Sequence, residues 1–223
     1  MRKINFAINE IYHIYNRGVD KRNIFLDRYD HLRFIHDLFK LNNAHSVIHA
    51  FRKFNTNPNQ MDSSKNRKML TEILLFTLMP NHFHLLIREN EKNGITKFMQ
   101  KLGTGYTMYF NKKYKRVGSL FQGPFKATHV YHDSHFDQLP FYIHLNPLGL
   151  LQKNKSNKQR LQFINEYRWS SHLDYLGKNN FPQVTTRKFL LDYLGGERKY
   201  RQEIKNKLKN KFQSMLSGEI ILE

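Results

Sequence analysis

The run Met79-Pro80-Asn81-His82-Phe83-His84-Leu85-Leu86-Ile87 decides how this chain folds. Glu72 to Leu78 and His82 to Arg88 read as neighbouring strands, and Pro80-Asn81 turns the chain between them. Strand side chains alternate faces, so His82 and His84 point the same way while Phe83 points to the other side. Along an extended backbone the two imidazoles lie about 7 Å apart and can share one divalent ion. An isolated His-x-His is more often a pair of hydrogen-bonded surface histidines. A second segment, Phe141-Tyr142-Ile143-His144-Leu145-Asn146-Pro147, changes that balance. On a helix Tyr142 and Asn146 are one turn apart and share a face. A phenol and an amide oxygen can then face the histidine pair together.

Outward from the hairpin, Ile11 to Tyr15 reads as a first strand closed by Asn16-Arg17-Gly18. Leu32, Ile35, Leu38 and Phe39 recur at helical spacing, which predicts an amphipathic helix over 28–42. Arg52 to Lys68 is polar and aperiodic and reads as a loop. Ile95, Phe98, Met99, Leu102, Tyr106 and Tyr109 mark a second helix, weakened by Gly103 and Gly105. Short β-like pieces follow between Gly118 and Tyr131, and a third helix starts near Asp133-Ser134. The order β-α-β-β-α-β predicts a ferredoxin-like α+β fold. It is an antiparallel sheet with helices on one face, plus a further helix carrying Tyr142. Pro140 should kink that helix or restart it, and Pro147 should end it near Asn146. Beyond residue 150, Gln152 to Arg160 reads as a basic linker, and the remainder of 151–223 as a small helical C-terminal extension. Its stripe of Tyr200, Ile204, Leu208 and Met215 is ringed by Arg198, Lys199, Arg201, Lys205, Lys207, Lys209 and Lys211.

The 223 residues carry 37 Lys and Arg against 18 Asp and Glu, a net charge of +19. So large an excess concerns partners rather than fold, and nucleic acid is the expected counter-charge. An anionic membrane surface is the weaker alternative, because no basic amphipathic anchor opens the chain. No run of 18 apolar residues is present, so no membrane span is expected. The absence of cysteine removes disulfides, thiolate zinc sites and cysteine nucleophiles, and it suits a reducing cytoplasm.

Several motifs together resemble the single-tyrosine HUH transposases, specifically the REP-associated tyrosine transposases. They are "MPNHFHLLI", "GSLFQGPFKA" and "YIHLNP", with "YHIYNRGVDKRNIF" upstream and "EYRWSSHLDYLG" downstream. The resemblance spans roughly residues 10 to 195 in register, and the segment after Pro147, with Tyr167-Arg168-Trp169-Ser170-Ser171, favours the repeat-associated branch. It implies the same fold, with residues 1–150 as the catalytic domain. It also implies a single-stranded DNA endonuclease and strand transferase that cuts beside hairpin-forming repeats through a 5′-phosphotyrosine. Carried over by motif, Tyr142 is the nucleophile, while His82, His84 and Asn146 hold Mg²⁺ or Mn²⁺. The implied partner is a DNA hairpin with a single-stranded flank, met by a monomer or homodimer without a membrane.

Tyr142 has rivals among the 12 tyrosines. Tyr106 and Tyr109 fall on the apolar stripe of their helix and should pack in the core, and Tyr131 has no ligand partner one turn away. His144, about 200° around the helix from Tyr142, should be structural or contact phosphate. His13 should fill a hydrogen-bonding role. Lys101, Lys112, Lys113, Lys115, Arg116 and Lys126, interleaved with Tyr114, Phe121 and Phe125, suit a single strand whose phosphates meet cations and whose bases stack on rings. The competing readings are a non-catalytic nucleic-acid-binding protein of the same fold and a metal-dependent hydrolase. The latter normally needs further ligands on a longer barrel.

Overall fold

In the computed structural model, residues 4–45, 67–131 and 133–209 are described. Strand β1 (Ile11–Arg17) leads through a short 3₁₀ turn to helix α1 (Arg28–Lys40), whose N-terminus is closed by an Asp27–Asp30 capping box. The hairpin follows as β2 (Thr71–Met79) and β3 (His82–Glu89), then helix α2 (Gly94–Lys113) and strand β4 (Lys126–His129). The sheet order is β2-β3-β1-β4 and every pairing is antiparallel. This is the ferredoxin-like arrangement that the order of elements predicts. The stretch Arg52 to Lys68 lies outside the described residues except for Arg67 and Lys68, which belong to no element.

Strand alternation divides the sheet into two cores. Tyr12, Ile14, Leu78, Phe83, Leu85 and Ile87 pack against Phe34, Ile35 and Leu38 of α1 and Phe98, Leu102 and Tyr106 of α2. On the opposite face Leu74, Leu75 and Leu86 pack against helix α3 (Asp133–Leu145) and the helices that follow it. A register shift between Ile73 and Leu75 puts both leucines on that side. Pro140 neither restarts nor ends α3, which continues to Leu145. The proline costs the helix about 3 kcal/mol. Burial of Leu139, Phe141, Ile143 and Leu145 offsets that cost at about 25 cal/mol per Å². A 3₁₀ helix, Asn146–Leu150, takes over directly, as Pro147 requires.

The extension begins earlier as helix than composition suggests. Ser156 and Gln159 form a reciprocal capping box, so α4 (Asn157–Glu166) takes in the last part of the stretch expected to be a linker. Then come α5 (His172–Tyr175), α6 (Lys188–Tyr193) and α7 (Gly196–Lys209). Tyr200, Ile204 and Leu208 are buried as their spacing predicts, while Met215 and Lys211 lie outside the described residues. Tyr175, Leu190, Leu194 and Tyr200 share one core with Phe141, Ile143 and Leu145, so α3 is sandwiched between the sheet and the extension.

A buried polar network fixes that sandwich. The Tyr200 hydroxyl lies 2.8 Å from His144 Nδ1 and 2.6 Å from His172 Nδ1, and His144 Nε2 lies 2.8 Å from Ser171 Oγ. His144 is therefore structural and does not contact phosphate. Burial holds the His172 imidazole down at about 3, and desolvation first, then the neighbouring His172, keeps His144 well below the ordinary histidine value. An imidazole depressed on folding takes up its proton only in the unfolded chain between about pH 6.5 and its folded value. The stability it supports is complete above about pH 6.5 and declines as pH falls, by up to about 1.4 kcal/mol per pH unit for each such group. The thermal unfolding midpoint should therefore drop between about pH 7 and pH 5, and His172→Gln should flatten that slope. A midpoint constant across that interval would contradict the assignment.

Candidate active site

The residues of β1 and β3 that face away from α1 and α2 assemble the site. In register, Tyr15 sits opposite His84 on one side and Thr77 sits opposite His84 on the other. Lys126 of β4 pairs with Tyr15. The His82 and His84 rings meet edge to face with centroids 5.0 Å apart. The Tyr142 ring of α3 stands edge-on to His84 at 5.9 Å. His82 Nε2 lies 3.2 Å from Asn146 Oδ1. The structure thus brings Tyr142, His82, His84 and Asn146 together, and a small cleft of about 60 Å³ opens beside the histidines between Tyr15, Arg17, Gln122 and Lys126.

Hydrogen bonding at His82 and burial at His84 set how the two imidazoles face the cleft. Asn81 Nδ2 donates to the Lys21 carbonyl, which turns its Oδ1 toward His82 Nδ1 at 2.6 Å. Nδ1 must then carry the proton, so in the neutral ring Nε2 faces Asn146 Oδ1 as one acceptor facing another. A shared cation satisfies such a pair. His84 is 2 % exposed, and its Nε2 is buried without a hydrogen-bond partner. Desolvation first, then the neighbouring His13, His82 and Arg17, drive its pKa far down, so the ring is neutral. Two neutral imidazole nitrogens and an amide oxygen fit a divalent cation that keeps open positions for water and phosphate. Among the described residues no group of three His, Cys, Asp or Glu side chains forms a closed metal cage.

His13 fills the hydrogen-bonding role expected of it, and its partner is His84 itself, Nε2 to Nδ1 at 2.9 Å. Tyr15, Arg17 and Gln122 escaped the sequence reading. The signal was present, because residues 13, 15 and 17 alternate with the buried Tyr12 and Ile14 and must share the face of the histidines. The rival tyrosines behave as expected. Tyr106 is buried with its hydroxyl on the Ile24 carbonyl, Tyr109 bonds Asp30, and Tyr131 is exposed and packs on His129.

The basic and aromatic set divides. Lys126 lines the histidine cleft. Phe121 and Phe125 instead line, with Lys126, a groove of about 1210 Å³ between α2 and β4. Lys101, Lys112 and Lys113 sit on α2, the helix packed on the opposite face of the sheet, with Lys115 and Arg116 just after it. Lys101 donates to the Asn43 carbonyl, and Arg116 to Asn111 Oδ1. Lys113 is bound at 2.7 Å to both Asp27 and the fully buried Asp30, and the Tyr114 hydroxyl donates to Asp30 as well. The two carboxylates raise the Lys113 pKa above its ordinary value against the desolvation that opposes them. Lys113 thus neutralises a buried carboxylate, and Tyr114 hydrogen-bonds to the same group. Lys113→Met should cost about 1–3 kcal/mol of stability with little loss of DNA affinity. Lys126→Met should do the reverse. Denaturant titration and a binding isotherm on each variant check this, and equal affinity losses for both would refute it.

The comparisons agree with this architecture. The fold matches a solved structure of a REP-associated tyrosine transposase bound to a REP hairpin, with a TM-score of 0.53 over 82% of this chain and 89% of that one, at 11% sequence identity. No curated protein matches the chain. The family model for "Transposase IS200 like" matches residues 35–146, half of the sequence, and that span contains both site histidines, Tyr142 and Asn146. The chain belongs to the IS200-like transposase family.

Proposed function

We propose that the protein is a single-stranded DNA endonuclease and strand transferase that cuts beside a hairpin-forming repeat, with Tyr142 as nucleophile. The observation that carries this reading is the placement of the Tyr142 ring of α3 against His84, with Asn146, at the start of the 3₁₀ helix that follows, beside His82. The phenol oxygen attacks phosphorus, the bond to the 3′ oxygen breaks, and the 3′ oxygen takes up a proton for the one the phenol loses. The 5′-phosphotyrosine conserves the energy of the linkage for rejoining. Arg17 and Lys126, at the mouth of the cleft, meet the phosphate charge. Tyr142 is only 8% exposed, so little water competes with the 3′ hydroxyl that reseals the strand. His82, His84 and Asn146 would hold Mg²⁺ or Mn²⁺, which when bound supplies Lewis-acid polarisation of the phosphate. The REP hairpin bound by the structural relative supports a DNA hairpin as the substrate. The described residues include no helix long and apolar enough to cross a membrane. The sandwich of α3 by the extension of its own chain supports action by a monomer, with a homodimer as the alternative.

Tyr142→Phe keeps the ring and removes the attacking oxygen. It should bind a labelled hairpin normally and lose cleavage entirely. His82→Ala should also lose cleavage, and Asn146→Ala should retain part of it because water can replace an amide ligand. Cleavage by His82→Ala that survives EDTA would remove the metal from the account.

Substrate form offers an independent check. Attack by a helix-borne phenol in a narrow cleft needs one strand isolated and bent, so a fully paired duplex of the same sequence should stay intact. Affinity for the hairpin should fall steeply with salt, by a slope of about 0.7 for each phosphate neutralised on the single strand. Equal cutting of duplex and hairpin would contradict the proposal.

A further inference from the structure

His13 is fully buried, and neither the attack by Tyr142 nor the ligand set uses it. Its ring lies nearly coplanar with that of His84, 13° apart with centroids at 5.1 Å. At 2.9 Å between Nε2 and Nδ1 this is an in-plane N–H···N hydrogen bond between two imidazoles. The outer nitrogen of each ring, His13 Nδ1 and His84 Nε2, is buried without a hydrogen-bond partner. One proton joins the rings, and its location decides what His84 presents to the cleft. If His13 donates, His84 Nε2 carries a hydrogen and cannot ligate a cation. If His84 Nδ1–H donates, Nε2 presents a lone pair.

We infer that His13 is a positioning residue: its Nε2 accepts from His84 Nδ1–H and thereby fixes the tautomer in which His84 Nε2 is a ready ligand. The inference rests on the metal reading given above. Three observations favour this direction. Asn81 imposes the equivalent tautomer on His82, so both rings of the pair would turn lone pairs toward the same cleft. Arg17 lines the same cleft as His84, and its positive charge favours a lone pair over an N–H on the nitrogen turned toward that cleft. His84 Nδ1 is engaged by His13, which leaves Nε2 as the nitrogen able to reach a cation, and it can do so only with a lone pair.

The test has two arms. Long-range ¹H–¹⁵N correlation spectra of the metal-free protein should show His84 Nδ1 protonated and Nε2 unprotonated. The opposite assignment overturns the inference outright, and this arm needs no variant. In the second arm, His13→Phe removes the acceptor while filling the space. It should weaken Mn²⁺ binding, read by the free-ion EPR signal without DNA, by about 10- to 100-fold. His13→Gln, whose carbonyl accepts from Nδ1–H, should recover most of the affinity. A folded His13→Phe that binds Mn²⁺ as the parent protein does overturns the inference. Failure of the metal reading looks different: the parent protein itself would bind no Mn²⁺, or bind it equally well as His82→Ala.

Discussion

Everything in this molecule depends on the alternation of strand β3. Phe83, Leu85 and Ile87 face one way and close the core beneath α1 and α2, while His82, His84 and Leu86 face the other. A slip of one residue would put two imidazoles into an apolar core and Phe83 and Leu85 into the cleft. The packing free energy of the first core therefore fixes the chemistry on the second face. On that face Asn81 and His13 then orient the two rings.

The second face solves a different problem. A site for phosphoryl transfer has to be dry enough for charges to matter and polar enough to bind a phosphate. The chain places its titratable groups at the boundary of the apolar cluster formed by Leu75, Leu86, Phe141 and Ile143. There desolvation keeps His13 and His84 neutral, and Arg17 and Lys126 stay at the rim where water still reaches them. Helix α3 carries its proline because the sheet and the extension grip it from both sides. The hydrogen bonds from His144 to Tyr200 and Ser171 give that grip a direction.

Much of this was legible in the sequence. The hairpin, the two amphipathic helices and the shared face of His82 and His84 follow from periods of two and 3.6 residues, and the structure repeats them. The convergence of Tyr142 and Asn146 on the histidines came from helical spacing together with the family resemblance. Less was legible wherever a side chain's partner lies far away in sequence. Lys113 looks like any exposed lysine until Asp30, on another helix, is placed beside it. The role of His13 depends on the pairing of β1 with β3, a register that sequence alone does not give. The start of α4 could have been read from Ser156 and Gln159, but the basic composition around them masked the capping box.

The central claim is that Tyr142 and the histidine face form one active site. Its most direct measurement is to trap the reaction of the intact protein with a hairpin carrying a short single-stranded flank, digest both components and locate the nucleotide by mass spectrometry. The account predicts a 5′-linked nucleotide on the peptide containing Phe141-Tyr142-Ile143, on the phenol oxygen of Tyr142. Modification at Tyr15, Tyr131 or any other tyrosine, or strand cutting with no covalent protein–DNA species, would contradict it.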